Sequence, residues 1–309
     1  MKVKITEVGL RDGLQNEKFV LSTDVRLELA KRLAGAGVRR LELGAFVSPK
    51  WVPQMAGSAD LVKAAVGAAE FRDVQISALV PNERGLDEAL QVRAPRIAIF
   101  ASATESFSLK NINCSIEESF TRYAAVVKRA RRQKLSVRGY LSMCFGCAFE
   151  GEVKESVVIR LAARLIEMGC DEVSIGDTIG VADPKQVRRL GAKLLRELGP
   201  RRTTMHFHDT RGTALANILA SLDLGITSFD SSIAGLGGCP YAPSATGNVA
   251  TEDVVYMLER MGLKTDLNLD ALIETNRWLQ GKMKRELPSK VGRAGRAHPL
   301  GVVRSSDPS

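Results

Sequence analysis

Apolar positions along the chain fall into two alternating patterns. Short runs rich in Val, Ile, Leu and Phe predict strands over 3–8, 39–44, 74–80, 96–101, 135–141, 171–177, 203–208 and 226–232. Between them, Leu, Val, Ile and Ala recur at helical spacing over 23–36, 114–133, 153–168, 184–197 and 211–224, and two more helices are expected near 251–262 and 267–282. Thr23 and Asp24 open one helix, and Asp183 before Pro184 gives an N-cap followed by proline at the first helical position. Gly37, Gly169 and Gly225 each close a helix as a left-handed cap. Each is followed five residues later by an inward-type polar residue, Glu42, Ser174 or Asp230. A second echo pairs Asp177-Thr178-Ile179-Gly180 with Asp209-Thr210-Arg211-Gly212, each at a strand end.

Eight β/α units of this length predict a (β/α)8 TIM barrel with extra C-terminal helices over residues 1–291, and a mobile tail over 292–309. An open doubly wound sheet is the alternative, but no G-x-G-x-x-G turn stands between the first strand and the first helix.

Composition narrows the classes further. At 309 residues and 45% hydrophobic, the chain can bury a core without disulfides or metal staples, and no apolar run approaches the roughly 18 residues of a membrane span. Five cysteines, with no secretory pattern or cleavable segment at the start, point to a reducing, cytoplasmic setting. The net charge of +9 leaves nucleic acid or an anionic small molecule open. Aromatic residues at 5% are too few for a base-stacking platform, however, and +5 of that charge sits in residues 281–297. Neither nucleic acid nor membrane is expected as a partner.

In such a barrel the chemistry collects at the C-terminal strand ends. There stand Arg11-Asp12-Gly13, Glu42, Asp177, His206, His208, Cys239 and Asn248. His206 and His208 are two apart on a strand, so both imidazoles point to one face while Phe207 points to the other. Two imidazoles make half a metal site. A carboxylate and an amide oxygen, from Asp12 and Asn248, would favour Mg²⁺ or Mn²⁺ over structural zinc, with Asp209 and Glu42 behind them to fix orientation. Arg11 reads either as a salt-bridged turn or as a cation for an enolate or carboxylate oxygen. The run Gly235-Leu236-Gly237-Gly238-Cys239-Pro240-Tyr241 brings one thiol towards the mouth, suited to proton transfer. Cys144 and Cys147 form a single C-x-x-C without the second pair that a zinc site would need.

These residues also sit in recognisable stretches. Residues 7–17 (EVGLRDGLQNE), 46–55 (FVSPKWVPQM), 111–120 (NINCSIEESF), 176–180 (GDTIG), 206–210 (HFHDT) and 235–253 (GLGGCPYAPSATGNVATED) resemble the 3-hydroxy-3-methylglutaryl-CoA lyase family over roughly residues 3–291. The resemblance implies a metal-dependent barrel lyase, working as a homodimer, that splits HMG-CoA into acetyl-CoA and acetoacetate in leucine degradation or ketone-body formation. It assigns the divalent cation, Mg²⁺ or Mn²⁺, to Asp12, His206, His208 and Asn248. Catalytic roles fall on Arg11, Cys239, Glu42, Asp177 and His206, and acyl-CoA binding on Arg11, Asn16 and Lys18. Ser244, Arg211 and Ala148 depart from the family pattern without touching a proposed ligand, and the ending Asp-Pro-Ser does not match the form with a regulatory cysteine and a peroxisomal signal. The basic segment 281–297 then reads as a holder of CoA phosphates or as a solvated face. Two related readings remain: a lyase for another 3-hydroxy-3-methyl acyl-CoA, and a Claisen-type synthase. The loop carries Gly-Gly-Cys-Pro-Tyr where the synthases carry Gly-Glu-Arg.

Overall fold

The computed structural model describes residues 1–239 and 242–297, apart from the side chains at 239 and 242–246. Eight parallel strands close into a barrel in chain order: β1 Lys4–Glu7, β2 Arg40–Ala45, β3 Gln75–Leu79, β4 Arg96–Ser102, β5 Ser136–Ser142, β6 Glu172–Asp177, β7 Thr203–Phe207 and β8 Ser228–Ser231. β1 seals the ring against β8 with Lys4 opposite Ser228 and Glu7 opposite Ser231. All eight strands lie within two residues of the ends that the apolar runs predict. The architecture is a (β/α)8 TIM barrel.

Strand alternation divides each strand between two environments. Ile97 and Ile99, Val173 and Ile175, and Met205 and Phe207 are fully buried in the apolar shell between strands and helices. Their neighbours fill the barrel, and here the filling is charged rather than the branched apolar residues usual in this fold. On the even strands, Arg40 and Arg96 both reach Glu172, at 2.5 and 2.9 Å, and Arg40 also donates to Ser228 Oγ at 3.3 Å. Arg138 on β5 links this floor to the next level, lying 3.2 Å from Glu172 and 2.5 Å from Asp230. Burial alone would raise the Glu172 carboxyl, but the three arginines outweigh it and bring it down to about 2. A buried charge is tolerable only when paired in this way.

The helices follow as α1 Thr23–Gly35, α2 Ser58–Ala65, α3 Glu83–Gln91, α4 Glu105–Ile112, α5 Ile116–Arg132, α6 Glu155–Met168, α7 Pro184–Leu198, α8 Ala214–Asp223, α9 Thr251–Arg260, α10 Leu269–Met283 and α11 Lys290–Ala294. The expected helix at 114–133 starts later, because Ser115 and Glu118 form a reciprocal capping box. α2, α3, α4 and α11 are too short for a clear helical period and were not expected from it. Asp183 caps α7 through the Lys185 and Gln186 N–H groups, with Pro184 at the first turn. The three helix-closing glycines all have positive φ, and Gly37 also admits no side chain: a Cβ there would stand 2.4 Å from the Asp266 carbonyl oxygen.

After β8 the chain makes a tight turn at Ile233–Gly235, and β9 Gly238–Cys239 then pairs antiparallel with β10 Ala242–Thr246. Two buried carboxylates hold the root of this loop. Glu7 Oε1 accepts from the Gly9 and Ile233 N–H groups at 2.7 and 2.9 Å, and Glu252 accepts from the Ala234 N–H at 2.9 Å and from Asn276 Nδ2 at 2.7 Å. Asp253 takes up Ser289 Oγ and the Lys290 and Val291 N–H groups, which docks α11. α11 therefore runs past the boundary expected at 291, with Gly292 buried. Residues 298–309 of the expected tail lie outside the described residues.

The basic segment is mostly engaged. Arg285 makes a bidentate pair with Glu17, Lys290 pairs with Asp209, Arg296 pairs with Glu259 and Asp270, and Lys282 stands over the Trp278 ring. Arg285 and Lys290 tie this segment to the barrel, whereas Arg296 and Lys282 are held within the C-terminal helices.

Burial pushes the Glu252 carboxyl up to about 8, over the opposing bonds from Asn276 and Ala234, and pushes Glu7 up to about 7. A carboxyl group raised on folding contributes stability that is complete below its unfolded value of about 4.3 and is lost as pH rises through the folded value. The wild-type protein is expected to lose stability between about pH 5 and 8, and Glu252→Gln is expected to retain only the smaller loss from Glu7. Melting temperatures from pH 5 to 9 check this, and identical slopes for the two proteins would refute it.

Candidate active site

Arg11 and Asp12 lie on a single π-helical turn, Gly9–Gly13, that follows β1. Such turns carry one extra residue and are frequent at functional sites. This one fits only because Gly9 and Gly13 lack side chains: a Cβ would meet Glu7 Oε1 at 2.6 Å in the first case and Ser232 Oγ at 2.6 Å in the second. The turn aims Asp12 at the two imidazoles on the opposite side of the β1/β8 seam. His206 Nε2 and His208 Nε2 lie 3.8 and 3.9 Å from Asp12 Oδ2, and one ligand atom from each of the three residues falls within 4.8 Å of the others. Asn248, bridged to His208 through the backbone, donates its amide to Asp12 Oδ2 at 2.8 Å and to the Leu236 carbonyl at 3.2 Å.

The protonation states suit a cation. Burial alone would raise the Asp12 carboxyl, but Arg11, His206, His208 and the Asn248 bond together hold it well below the usual carboxylate range. Burial, the neighbouring His206 and Arg11 lower His208 to about 4. An ionised carboxylate and an uncharged imidazole are the forms that bind a metal. His206 Nδ1 lies 3.2 Å from Asp230 Oδ2, which orients its ring and leaves Nε2 towards Asp12. His208 Nδ1 is buried and has no hydrogen-bond partner among the described residues. These residues therefore fit a divalent metal site.

Arg11 is buried beside them. Its Nε donates to Glu42 Oε1 at 3.0 Å, its Nη1 donates to Asp12 Oδ1, and its guanidinium sits 5.0 Å from the Tyr140 ring centre. The Tyr140 hydroxyl donates to the second Glu42 oxygen, and Arg138 lies 4.8 Å from the same ring. Glu42 is thus a clamp for Arg11 and Tyr140. Asp230 plays the matching part for His206, accepting also from Arg138 and, at 2.7 Å, from Ser174 Oγ.

The structure brings Arg11, Asp12, Glu42, His206, His208 and Asn248 together, and Asn16 lines the same cavity of about 140 Å³. Asp177 is placed differently. It accepts from the Val181 and Ala182 N–H groups at 2.9 and 3.0 Å, so it organises its own β6–α7 loop, while its neighbours Gly176 and Thr178 line the cavity. Asp209 does the same for the following loop through the Ala214 N–H, which explains the repeated tetrapeptide. Lys18 is exposed and outside the cavity wall. The Cys239 backbone lies in β9, and its side chain is outside the described residues. Cys144 and Cys147 are unpaired and buried, and the C-x-x-C carries no bridge. Tyr140 and Arg138 were not anticipated. They are single polar residues on one strand, and only inward alternation on β5 hints at them.

The HMGL-like family model matches residues 2–279. The chain belongs to the HMGL-like family. Within it, the chain is 46% identical over 293 residues to a mitochondrial hydroxymethylglutaryl-CoA lyase of Macaca fascicularis, covering 95% of this chain and 89% of that one. Its fold is similar to a solved hydroxymethylglutaryl-CoA lyase from Pseudomonas aeruginosa, with a TM-score of 0.92 at 46% identity over 95% of this chain and 97% of the other. It is also similar to an HMG-CoA lyase from Acinetobacter baumannii solved with coenzyme A and 3-methylmalate, with a TM-score of 0.92 at 35% identity over 98% of both chains.

Removing the Tyr140 hydroxyl leaves Glu42 Oε2 with only the long 3.4 Å bond from Arg11 Nη2 and loosens the clamp on Arg11. Tyr140→Phe is expected to lower turnover by about tenfold to a hundredfold while metal content stays unchanged. Steady-state kinetics with metal analysis of the same preparation checks this, and loss of metal would assign Tyr140 to the metal site instead.

Proposed function

We infer that this HMGL-like protein is a carbon–carbon lyase that cleaves (S)-3-hydroxy-3-methylglutaryl-CoA into acetyl-CoA and acetoacetate. The observation that carries the reading is the convergence of Asp12, His206 and His208 at the barrel mouth with a buried Arg11 bonded to the same carboxylate. Asp12, His206, His208 and Asn248 would hold the cation, for which Mg²⁺ or Mn²⁺ suits the mixed oxygen and imidazole set. When bound, that cation supplies Lewis-acid polarisation of the substrate's hydroxyl and carboxylate oxygens.

The chain's own groups carry the rest. The tertiary hydroxyl loses its proton, the bond between C2 and C3 breaks, and the electron pair moves into the thioester as an enolate whose carbon takes up a proton to give acetyl-CoA. Arg11 faces the enolate oxygen with a fixed positive charge, prepositioned by Glu42 and Tyr140. Cys239, with His206, handles the proton. Asn16 contacts the acyl part from the cavity wall and Lys18 meets the acidic CoA from outside it. Asp177 supports the site by fixing the β6–α7 loop. The products fit leucine degradation or ketone-body formation. Unpaired Cys114, Cys144, Cys147 and Cys170 are consistent with a cytoplasmic location.

Purified protein given HMG-CoA should release acetoacetate only when a divalent cation is supplied, and absence of metal-dependent product would overturn the reading. Cys239→Ala should lose turnover by about two orders of magnitude or more with metal binding intact, and near-normal turnover would remove Cys239 from the mechanism.

A further inference from the structure

Beside the reaction cavity lies a second one of about 680 Å³, formed where the loops after β2, β3 and β4 meet α2, α3 and α5. The two cavities share Gln15, Leu79, Phe100 and Asn111 as a common wall. On the reaction side, Arg11, Asp12, His206 and His208 make the opposite wall polar, so an apolar substituent on the substrate is favoured towards Leu79 and Phe100. Beyond them the second cavity has an apolar side of Phe46, Val47, Pro49, Met55 and Ile112, with Trp51 87% exposed, and a charged side of Asp60, Arg84, Glu88 and Arg122.

The far wall of this space is built rather than loosely folded. Arg26, 1% exposed, donates to the Ala56 carbonyl at 2.7 Å and to the Leu43 carbonyl and Ser58 Oγ at 3.3 Å. Ser58 Oγ in turn donates to the Met55 carbonyl at 2.7 Å and accepts from the Ala45 N–H at 3.2 Å. None of these acceptors is a carboxylate, and burial lowers Arg26 to about 10. A buried cation is costly, and this one ties α1 to Leu43, Ala56 and Ser58 at the back of the cavity.

We propose that the second cavity receives the substituent at C3 of the substrate, and that this lyase accepts 3-hydroxy-3-alkylglutaryl-CoA thioesters whose apolar chain is longer than methyl. The proposal rests on the lyase reading above and names a wider substrate class for the same site. The chemistry is unchanged: the C2–C3 bond breaks, the hydroxyl proton is given up, the acetyl carbon gains a proton, and the products are acetyl-CoA and a longer 3-oxo acid. A methyl group would leave the cavity empty, whereas a butyl or longer chain passing Leu79 and Phe100 would fill apolar space and gain the transfer free energy of each methylene.

The experiment compares acetyl-CoA release from HMG-CoA and from 3-butyl-3-hydroxyglutaryl-CoA, with metal present, for wild type, Val47→Trp and Ala45→Leu. Val47 and Ala45 line only the second cavity, and Val47 is partly exposed, so its variant keeps the barrel core intact even if Ala45→Leu fails to fold. Wild type is expected to cleave the butyl thioester with kcat/KM within about tenfold of HMG-CoA. Val47→Trp should lose about a hundredfold on the butyl thioester and less than about twofold on HMG-CoA. Cleavage of HMG-CoA without the butyl thioester would overturn the proposal and leave the lyase reading standing. An equal loss on both, with weaker inhibition by free CoA, would show that the cavity holds the CoA arm instead. Cleavage of neither would overturn both readings.

Discussion

Asp230 is the joint on which this barrel turns. Its carboxylate, inaccessible to solvent, accepts from Arg138, Ser174 and His206 at once, and every other part of the site is referred to it. Burial alone would favour the protonated form, but Arg138 and His206 outweigh it and keep the group ionised. Below it, Arg138 continues to Glu172, Arg40 and Arg96. Above it, His206 reaches Asp12, Arg11, Glu42 and Tyr140. A buried network of ion pairs and hydrogen bonds thus runs from the barrel floor to its mouth.

Such an interior is a poor way to gain stability, because each buried ion loses several kcal/mol of hydration that pairing only returns when its geometry is good. The apolar shell outside the strands has to carry the fold, and the fully buried Leu, Ile and Val side chains there supply it. What the charged filling provides is orientation. A guanidinium held by Glu42, Asp12 and the Tyr140 ring cannot turn away from the cavity, and an imidazole held through Nδ1 presents only Nε2. Sites of this kind work because their dipoles and charges are fixed before substrate arrives.

The C-terminal additions extend the same logic to the loop that closes the mouth. Glu7 and Glu252, from opposite ends of the chain, grip the turn at Ile233–Gly235, while Asp253, Arg285 and Lys290 tie α11 and the end of α10 to the barrel. The loop carrying Cys239 is therefore anchored at its root. The positive charge that seemed available for a polyanion is largely spent on these ties.

The order of the elements was legible in the chain because strand and helix periods are local properties, fixed by which faces are apolar. Eight strands, the glycine caps and the Asp183-Pro184 helix start follow from that alone. The His206/His208 pair was legible for the same reason, since a spacing of two on a strand places both rings on one face. The role of Asp177 was not, because whether a carboxylate at a strand end faces the cavity or its own loop depends on which N–H groups the fold brings nearer. Nor could spacing alone show that Tyr140 would be packed by Arg11 and Arg138, or that Arg26 would bond Leu43, Ala56 and Ser58 behind the second cavity. Arg11 and Tyr140 are 129 positions apart, and Arg26 is 17 to 32 positions from Leu43, Ala56 and Ser58, so only the tertiary fold puts them within reach.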